Sequence, residues 1–504
     1  MEIKKIRFIE PGNLPYRASL KNLYTYEKYI RTPSHGLLTL TTIAKRYVDD
    51  TLMYSESISK VRWDDVLDAD VVFIGIFTFA ATRGYEIARY IKERSRAIIV
   101  MGGLHASMNY REAVRYCDYV LLGEGDESIV DFIQAMRENR GITFPGAAYM
   151  QNGTLIHTGD RRPPDNIDII PNRYLLYRYH KMAGHNTIWP QVHASRGCPH
   201  NCDYCTVVRH FGRRVRKRTP ENVVEDIKQA IAFHENRKMK RFMKVLWITD
   251  DNFFADRKWA IQVLNAIIDS GIKYSFTIQA RFEVGFDDEM LDLLRKAGFA
   301  ELAMGIEFLE DASFTKYNKS SRYTDIVRAV QNVQRHSLNV RGLFIFGAEN
   351  HTRGVGDRLA EFVNKYDIRG VLIQSMYFVP GTPVYEENED RLLHRDWSKY
   401  SGHVVHDPVN ITAYDLQKEI IIASKKIYSF KNTVSALFTR SWRDKALYLG
   451  EYLWQRSVRT DLKRELKNLP KTNKAVLKYN TQTASEDDIS SGNAIKHVGE
   501  RARS

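Results

Sequence analysis

Residues 195–205 read Ser195-Arg-Gly-Cys198-Pro-His-Asn-Cys202-Asp-Tyr-Cys205, which places three of the chain's four cysteines within eight residues. Three thiolates on one short loop suit a cubic iron–sulfur cluster, with one sulfur on each of three irons. Electron-transfer clusters take four cysteines. No fourth lies nearby, so one iron is left open to another ligand. A zinc site is the competing reading. It needs a fourth Cys or His, and His193, His200 or His210 could supply one.

Composition bounds the rest. At 504 residues, 43% hydrophobic and 27% charged, the chain is long enough for two or three globular domains. No apolar run reaches the length of a membrane span. The start, Met-Glu-Ile-Lys-Lys-Ile-Arg, lacks the apolar stretch of a signal peptide. Four cysteines, three of them clustered, fit a reducing cytoplasm better than a disulfide framework. The net charge of +14 is concentrated. Arg209, Arg213, Arg214, Arg216, Lys217 and Arg218 follow the cysteine loop, and a second basic stretch runs through the last hundred residues. The first stretch could hold a phosphate or carboxylate of a substrate, or be solvated surface charge.

Residues 1–140 alternate apolar strands and helices. Ile6–Ile9, Asp70–Phe77, Ala97–Met101 and Asp118–Leu122 read as strands, and 36–47 and Thr82–Lys92 as helices. The pattern predicts an α/β domain with a parallel, doubly wound sheet, which binds ligands at its strand carboxyl ends. Small residues punctuate those ends: Thr78, Gly102 and Gly103, then Gly123, Glu124 and Gly125. Residues 141–184 are punctuated by Pro and Gly and read as a linker.

From 185 to 390 six strands alternate with helices: Gln191–Ala194, Val245–Thr249, Tyr274–Ile278, Glu301–Gly305, Gly342–Phe346 and Gly370–Tyr377. Thr219 and Pro220 start one helix as N-cap and first-turn proline. Six repeats predict a partial barrel of parallel strands with its chemistry at the strand C-termini. Residues 391–470 read as helical, with His403-Val-Val-His406 facing either a site or solvent. Residues 471–504, polar and poor in apolar side chains, read as a disordered tail.

The cysteine spacing, with the aromatic Tyr204 before Cys205, resembles the radical S-adenosylmethionine (SAM) superfamily. The resemblance implies a 4Fe-4S cluster on Cys198, Cys202 and Cys205. Its open iron binds SAM, which is cleaved to methionine and a 5′-deoxyadenosyl radical. The strand-end residues then match positions that contact SAM: Asp250 or Asp251 near the amino group, Arg281 and Glu307 near the carboxylate or ribose, and Gly347 against adenine, with Gln279 and Tyr204 also candidate cofactor contacts.

The first 140 residues resemble the cobalamin-binding domain that precedes many such enzymes, through Thr78-Phe-Ala, Gly102-Gly-Leu-His105 and Gly123-Glu-Gly-Asp-Glu127. That family's Asp-x-His-x-x-Gly signature, whose histidine ligates cobalt, is replaced by Tyr54-Ser-Glu-Ser-Ile-Ser59. Many methylases of the subfamily also lack it. His105 is a candidate ligand, though packing beside the glycine turn suits it better.

The implied function is methylation of an unactivated carbon in a small-molecule, lipid or peptide substrate, fed by an external electron donor such as a flavodoxin or ferredoxin. The alternative is a radical enzyme that cyclises, rearranges, oxidises or transfers another part of SAM. RNA-modifying methylthiotransferases carry a second cluster on three N-terminal cysteines. This chain has only Cys117 there, which argues against a nucleic-acid substrate. A non-enzymatic sensor with a structural cluster is opposed by the intact set of strand-end residues.

Overall fold

The computed structural model describes residues 2–13, 32–182, 188–235, 245–439 and 442–471. The expected tail lies, from 472 onward, outside the described residues. The N-terminal sheet contains β1 (Lys5–Glu10), β2 (Asp50–Ser55), β3 (Val71–Gly75), β4 (Ile98–Gly102) and β5 (Tyr119–Leu121), all parallel, in the order β2-β1-β3-β4-β5. Both faces are buried, as the apolar runs require. Ile6, Phe8, Val71, Phe73 and Val100 enter one core layer. Their neighbours Ile9, Val72, Ile74, Ile99 and Met101 enter the other. This alternation is the period-two geometry of a strand buried on both sides. The order reverses at β1, so a crevice opens at the carboxyl ends of β1 and β3.

The segment expected to be a linker is partly structured. β6 (Ala147–Gln151) and β7 (Thr154–His157) form a hairpin that extends the sheet antiparallel from β5. Its turn is Asn152-Gly153, with φ of 48° and 79°. Asn-Gly is a strong two-residue hairpin signal because both positions accept positive φ. Counting Pro and Gly as linker punctuation hid that signal.

The second sheet begins with β8 (Gln191–Val192). A short antiparallel pair follows, β9 (Ser195–Arg196) and β10 (Arg216–Lys217), and then β11 (Val245–Ile248), β12 (Ser275–Arg281), β13 (Phe299–Glu307), β14 (Asn339–Phe346) and β15 (Gly370–Ser375). Six of these strands run parallel in the order β15-β14-β13-β12-β11-β8, an open barrel as expected. The helix at Pro220–Glu235 starts as predicted, with the Asn222 N–H donating to Thr219 Oγ1 at 3.4 Å.

Residues 391–412 are irregular. They cross back to the N-terminal domain, where Trp397, Tyr400 and Val405 join its core. Trp397 Nε1 donates to Glu112 Oε1 at 2.9 Å, and Asn13 Nδ2 donates to the Ser398 carbonyl at 2.8 Å. Helices then run over Ala413–Ile427, Phe430–Thr439 and Trp442–Glu465. His403 and His406 are both buried. His403 Nε2 lies 2.9 Å from Asp461 Oδ2, so of the two expected settings, a site or solvent, the solvent-facing turn is not found.

A second contact joins the parts of the chain. Asp226 is fully buried and takes Arg173 and Arg218, each at 2.7 Å. Burial alone would raise its carboxyl. His35 and the two guanidiniums outweigh burial and hold it well below the ordinary carboxylate range. Removing one partner of such a cluster leaves uncompensated buried charge. Asp226→Ala is therefore expected to cost about 3–5 kcal/mol, read as a fall in the calorimetric melting temperature. An unchanged melting temperature would show that the cluster does not hold the fold.

Candidate active site between the two sheets

The cysteine loop hangs from β9 and β10, whose register pairs Arg196 with Arg216 and Ser195 with Lys217. Gly197 makes the exit from β9 possible. Its φ is +95°, and a Cβ there would sit 2.6 Å from the Arg214 carbonyl oxygen. Within the loop the Cys198 N–H donates to the Gly212 carbonyl (3.3 Å) and the Cys205 N–H to the Cys202 carbonyl (3.0 Å). All three thiols are free of disulfides. Asn252 Nδ2 donates to Cys198 Sγ at 3.6 Å.

Among the described residues no three Cys, His, Asp or Glu side chains converge as they would on a single ion. Three thiols spread along a loop, with no fourth cysteine beside them, suit a cluster whose irons each take one. Burial pushes the Cys202 thiol up and the Cys205 thiol to about 12. A coordinating metal would reverse that shift, since ligated thiols lose their protons.

The two adjacent aspartates differ. Asp250 is fully buried and both its oxygens are occupied: Oδ1 accepts from the Ala194 N–H (2.6 Å) and Oδ2 from the Ser195 hydroxyl (2.5 Å). Burial pushes its carboxyl to about 7 against those two bonds. Asp250 thereby fixes the root of the loop. Asp251 lines the cavity described below and accepts from the Gly197 N–H at 3.3 Å. Burial pushes it to about 6.

Tyr204 packs edge-on to Phe308 and Tyr317. Gln279 sits on β12 opposite Ala303. Arg281, at the end of β12, is held by Glu283 at 2.6 Å. Glu307 ends β13 with φ of +64°, and its Oε1 lies 3.0 Å from the buried ammonium of Lys319. Sequence reasoning passed over Lys319, which lies in a loop rather than at a strand end. Gly347 has φ of +101°, and a Cβ on it would meet His406 Cε1 at 2.8 Å. That side of the glycine is packed against protein.

A cavity of about 490 Å³ opens at the carboxyl ends of β1, β3, β4 and β5. Gly102, Gly103, Gly123, Glu124 and Gly125 lie along it, and Thr249, Asp251, His210 and Phe211 continue its wall to the barrel and the cysteine loop. Its size and mainly apolar lining are those of a small-molecule or cofactor site. Thr78 and His105 are not part of its wall. His105 is fully buried, with Nδ1 3.3 Å from Thr78 Oγ1, Nε2 3.2 Å from Tyr85 Oη, and its ring 5.0 Å from that of Trp397. These contacts make it a packing histidine and leave no ring nitrogen for a ligand.

Glu124 does more than border the cavity. Its Oε2 lies 2.7 Å from Arg196 Nη1 and its Oε1 2.5 Å from Arg216 Nη2, and Asp126 joins Arg196 at 2.8 Å. The turn after β5 is thus tied to both strands that carry the cysteine loop. Asp126 was visible in the run Gly123-Glu-Gly-Asp-Glu, but nothing in its spacing revealed Arg196 as its partner.

The basic stretch, expected either to hold an anionic substrate group or to be solvated, is largely engaged within the chain. Arg213 donates to the Pro199 carbonyl, Arg214 pairs with Asp165, Lys217 with Asp256 and Arg218 with Asp226. Of the six, Arg209, exposed and donating to Asn201 at 3.3 Å, and Arg213 meet no carboxylate among the described residues.

Two outcomes test this geometry. Gly197→Ala is expected to displace the loop root and lower the iron bound per chain after anaerobic reconstitution; an unchanged iron content would separate the loop from metal binding. Glu10, also on the cavity, is half-buried. Its Oε1 accepts from the Ser34 N–H at 2.8 Å, while Oε2 has no hydrogen-bond partner among the described residues. Burial pushes it to about 7. A carboxyl raised by folding favours the folded state while protonated. That contribution is lost as pH rises from the unfolded value through 7. Glu10→Gln should therefore raise the melting temperature at pH 8 and leave it unchanged near pH 4. Equal effects at both pH values would contradict the assignment.

Comparison with known proteins agrees with this geometry. Residues 192–363 match the radical SAM superfamily model. The chain is 25% identical over 398 residues to bacteriochlorophyllide d C-12(1)-methyltransferase of Chlorobaculum tepidum, spanning 78% of this chain and 82% of that protein. It is 26% identical to the anaerobic magnesium-protoporphyrin IX monomethyl ester cyclase of Cereibacter sphaeroides, over 69% of this chain and 57% of the cyclase. Among solved structures, the fold is similar to OxsB, a cobalamin-dependent SAM radical enzyme (TM-score 0.68, 14% identity, 89% of this chain and 70% of that one). It is also similar to the radical SAM methyltransferase TsrM from Kitasatospora setae (TM-score 0.61, 15% identity, 77% and 74%). The three-cysteine loop lies in a radical SAM domain at residues 192–363, within a chain whose two-sheet fold is similar to that of cobalamin-dependent radical SAM enzymes.

Proposed function

We propose that this chain methylates an unactivated carbon, using a 4Fe-4S cluster on Cys198, Cys202 and Cys205, SAM, and cobalamin in the cavity between the sheets. The observation that carries this reading is the continuity of that cavity. It runs from the glycine-rich ends of β4 and β5 to Asp251 and the helix that follows the cysteine loop. A cofactor seated on the first sheet would face the radical source on the second. Bound there, the cluster supplies the electron that cleaves SAM, and cobalamin carries the methyl group.

The chain's own residues do the rest. Gly102 and Gly103 leave the strand end on the cavity bare of side chains, and Gly103, at φ of +87°, has no room for one, since a Cβ there would sit 3.0 Å from the Ile76 carbonyl oxygen. Asp250 and Glu124 fix the two ends of the loop that presents the thiols. Asp251, Arg281 and Glu307 offer acceptors and a donor around the loop for the amine, carboxylate and hydroxyls of SAM. The apolar wall excludes water from a radical that would otherwise be quenched. An external one-electron donor such as a flavodoxin or ferredoxin completes the system, and a small molecule, lipid or peptide side chain serves as substrate. The absence of membrane-length apolar helices among the described residues fits a cytoplasmic enzyme.

The test is anaerobic turnover with product analysis. Methylation predicts one 5′-deoxyadenosine and one S-adenosylhomocysteine per methylated product, and Cys202→Ala should abolish both. One specific observation favours a second reading. No histidine occupies the expected position after β2, where Ser55 and Ser57 bond to each other at 2.6 Å. A non-methylating radical reaction, of which the cyclase relative is one type, would release deoxyadenosine without S-adenosylhomocysteine.

A further inference from the structure

We infer that Lys319 is a positioning residue that sets the cysteine loop and Glu307 in fixed relation. Lysine is rarely buried without partners, yet Lys319 is 4% exposed. Its ammonium donates to the Gly305 carbonyl at 2.7 Å and lies 3.0 Å from Glu307 Oε1. The strand end it grips is unusual. The register of β13 against β14 slips between Gly305 and Glu307, and Glu307 takes the left-handed conformation. A bulge with a non-glycine residue at positive φ re-aims a side chain and persists only where its surroundings hold it.

Gly305 leaves the room that the turned carboxylate fills, since a Cβ there would stand 2.8 Å from Glu307 Oε1. The second oxygen, Oε2, is buried and has no hydrogen-bond partner among the described residues. The result is a carboxylate held by one oxygen, with the other free to accept from a hydroxyl or ammonium donor.

The same short segment braces the cysteine loop. Asn318 Nδ2 donates to the Asn201 carbonyl at 2.9 Å, and the Tyr317 carbonyl accepts from the Asp203 N–H at 3.3 Å. The Tyr317 ring stands against Tyr204. Three consecutive residues thus touch both halves of the site, with the cation as the link. The inference rests on the reading that SAM binds beside the cysteine loop, and it names the residue that orients the carboxylate meeting it.

Lys319→Met and Lys319→Arg, reconstituted anaerobically, test this. Iron per chain, SAM affinity by equilibrium dialysis, and the change that SAM makes in the EPR spectrum of the reduced cluster are measured for each. Lys319→Met is expected to keep its iron, to bind SAM at least tenfold more weakly and to lose most of the EPR change, with partial recovery in Lys319→Arg. Unaltered SAM affinity, or loss of iron with no separate effect on SAM, overturns the inference. Should Lys319→Met prove insoluble, Glu307→Gln reads the same link, and unchanged SAM affinity there overturns it equally. If wild type itself binds no iron, or shows no EPR response to SAM, the proposed function fails instead.

Discussion

The buried ion cluster of Glu124 and Asp126 with Arg196 and Arg216 is the contact on which the site depends. Four charges are withdrawn from water together, which is costly. Such clusters add little net stability over apolar packing. What they supply is geometry. A guanidinium between two carboxylates has one good position, and Arg196 is the second residue before Cys198 in the chain. Because Arg196 and Arg216 face each other as one rung of the pair that carries the loop, the cluster fixes both ends of the loop at once. It fixes them relative to a turn that also walls the cavity. The distance between a ligand on the first sheet and the cysteines is therefore set by ion pairing and does not depend on a flexible linker.

This arrangement explains what sequence could and could not reveal. The cysteine loop was legible because its chemistry is local, with three thiols at close spacing and a glycine at the root. Both parallel sheets were legible because strands buried on two faces leave continuous apolar runs. The pairings were not. Glu124 sits in a glycine-rich turn that reads as a ligand site, and its partners lie in another domain. His105 has the same ambiguity: its neighbours Thr78 and Tyr85 lie on one segment and Trp397 on another far along the chain, so no spacing rule connects them. Residues 391–412, read as part of a helical region, complete the core of the first domain. The order of residues along the chain carries no mark of that return.

The fate of the basic residues shows why net charge was a poor guide to a partner. A chain of +14 with six basic residues beside its site invites an anionic ligand. In the fold, Arg214, Arg216, Lys217 and Arg218 each meet a carboxylate, most of it supplied by distant segments. The charge run is an inventory of internal partners for the acidic turns and the structured part of the former linker. Arginine suits that task because its planar fork can bridge two acceptors at once, as Arg196 does.

With those charges paired, the described cavity wall carries no uncommitted cation. His193 and His210 line it, and burial lowers both, His210 to about 4, so neither carries a proton at neutral pH. Arg196, the cation on its wall, is committed to two carboxylates. Phe77 and Phe79 stand 40% or so exposed beside it, stacked at 5.8 Å, as apolar surface that water alone would not favour. Glycine-lined strand ends and the unpaired ring nitrogens of His193 and His210 stand beside that apolar surface, so the described wall offers shape and hydrogen bonding and no free cation. The ion cluster that positions the cysteine loop thus also shapes the neighbouring cavity, since each arginine it commits is a cation the ligand no longer meets.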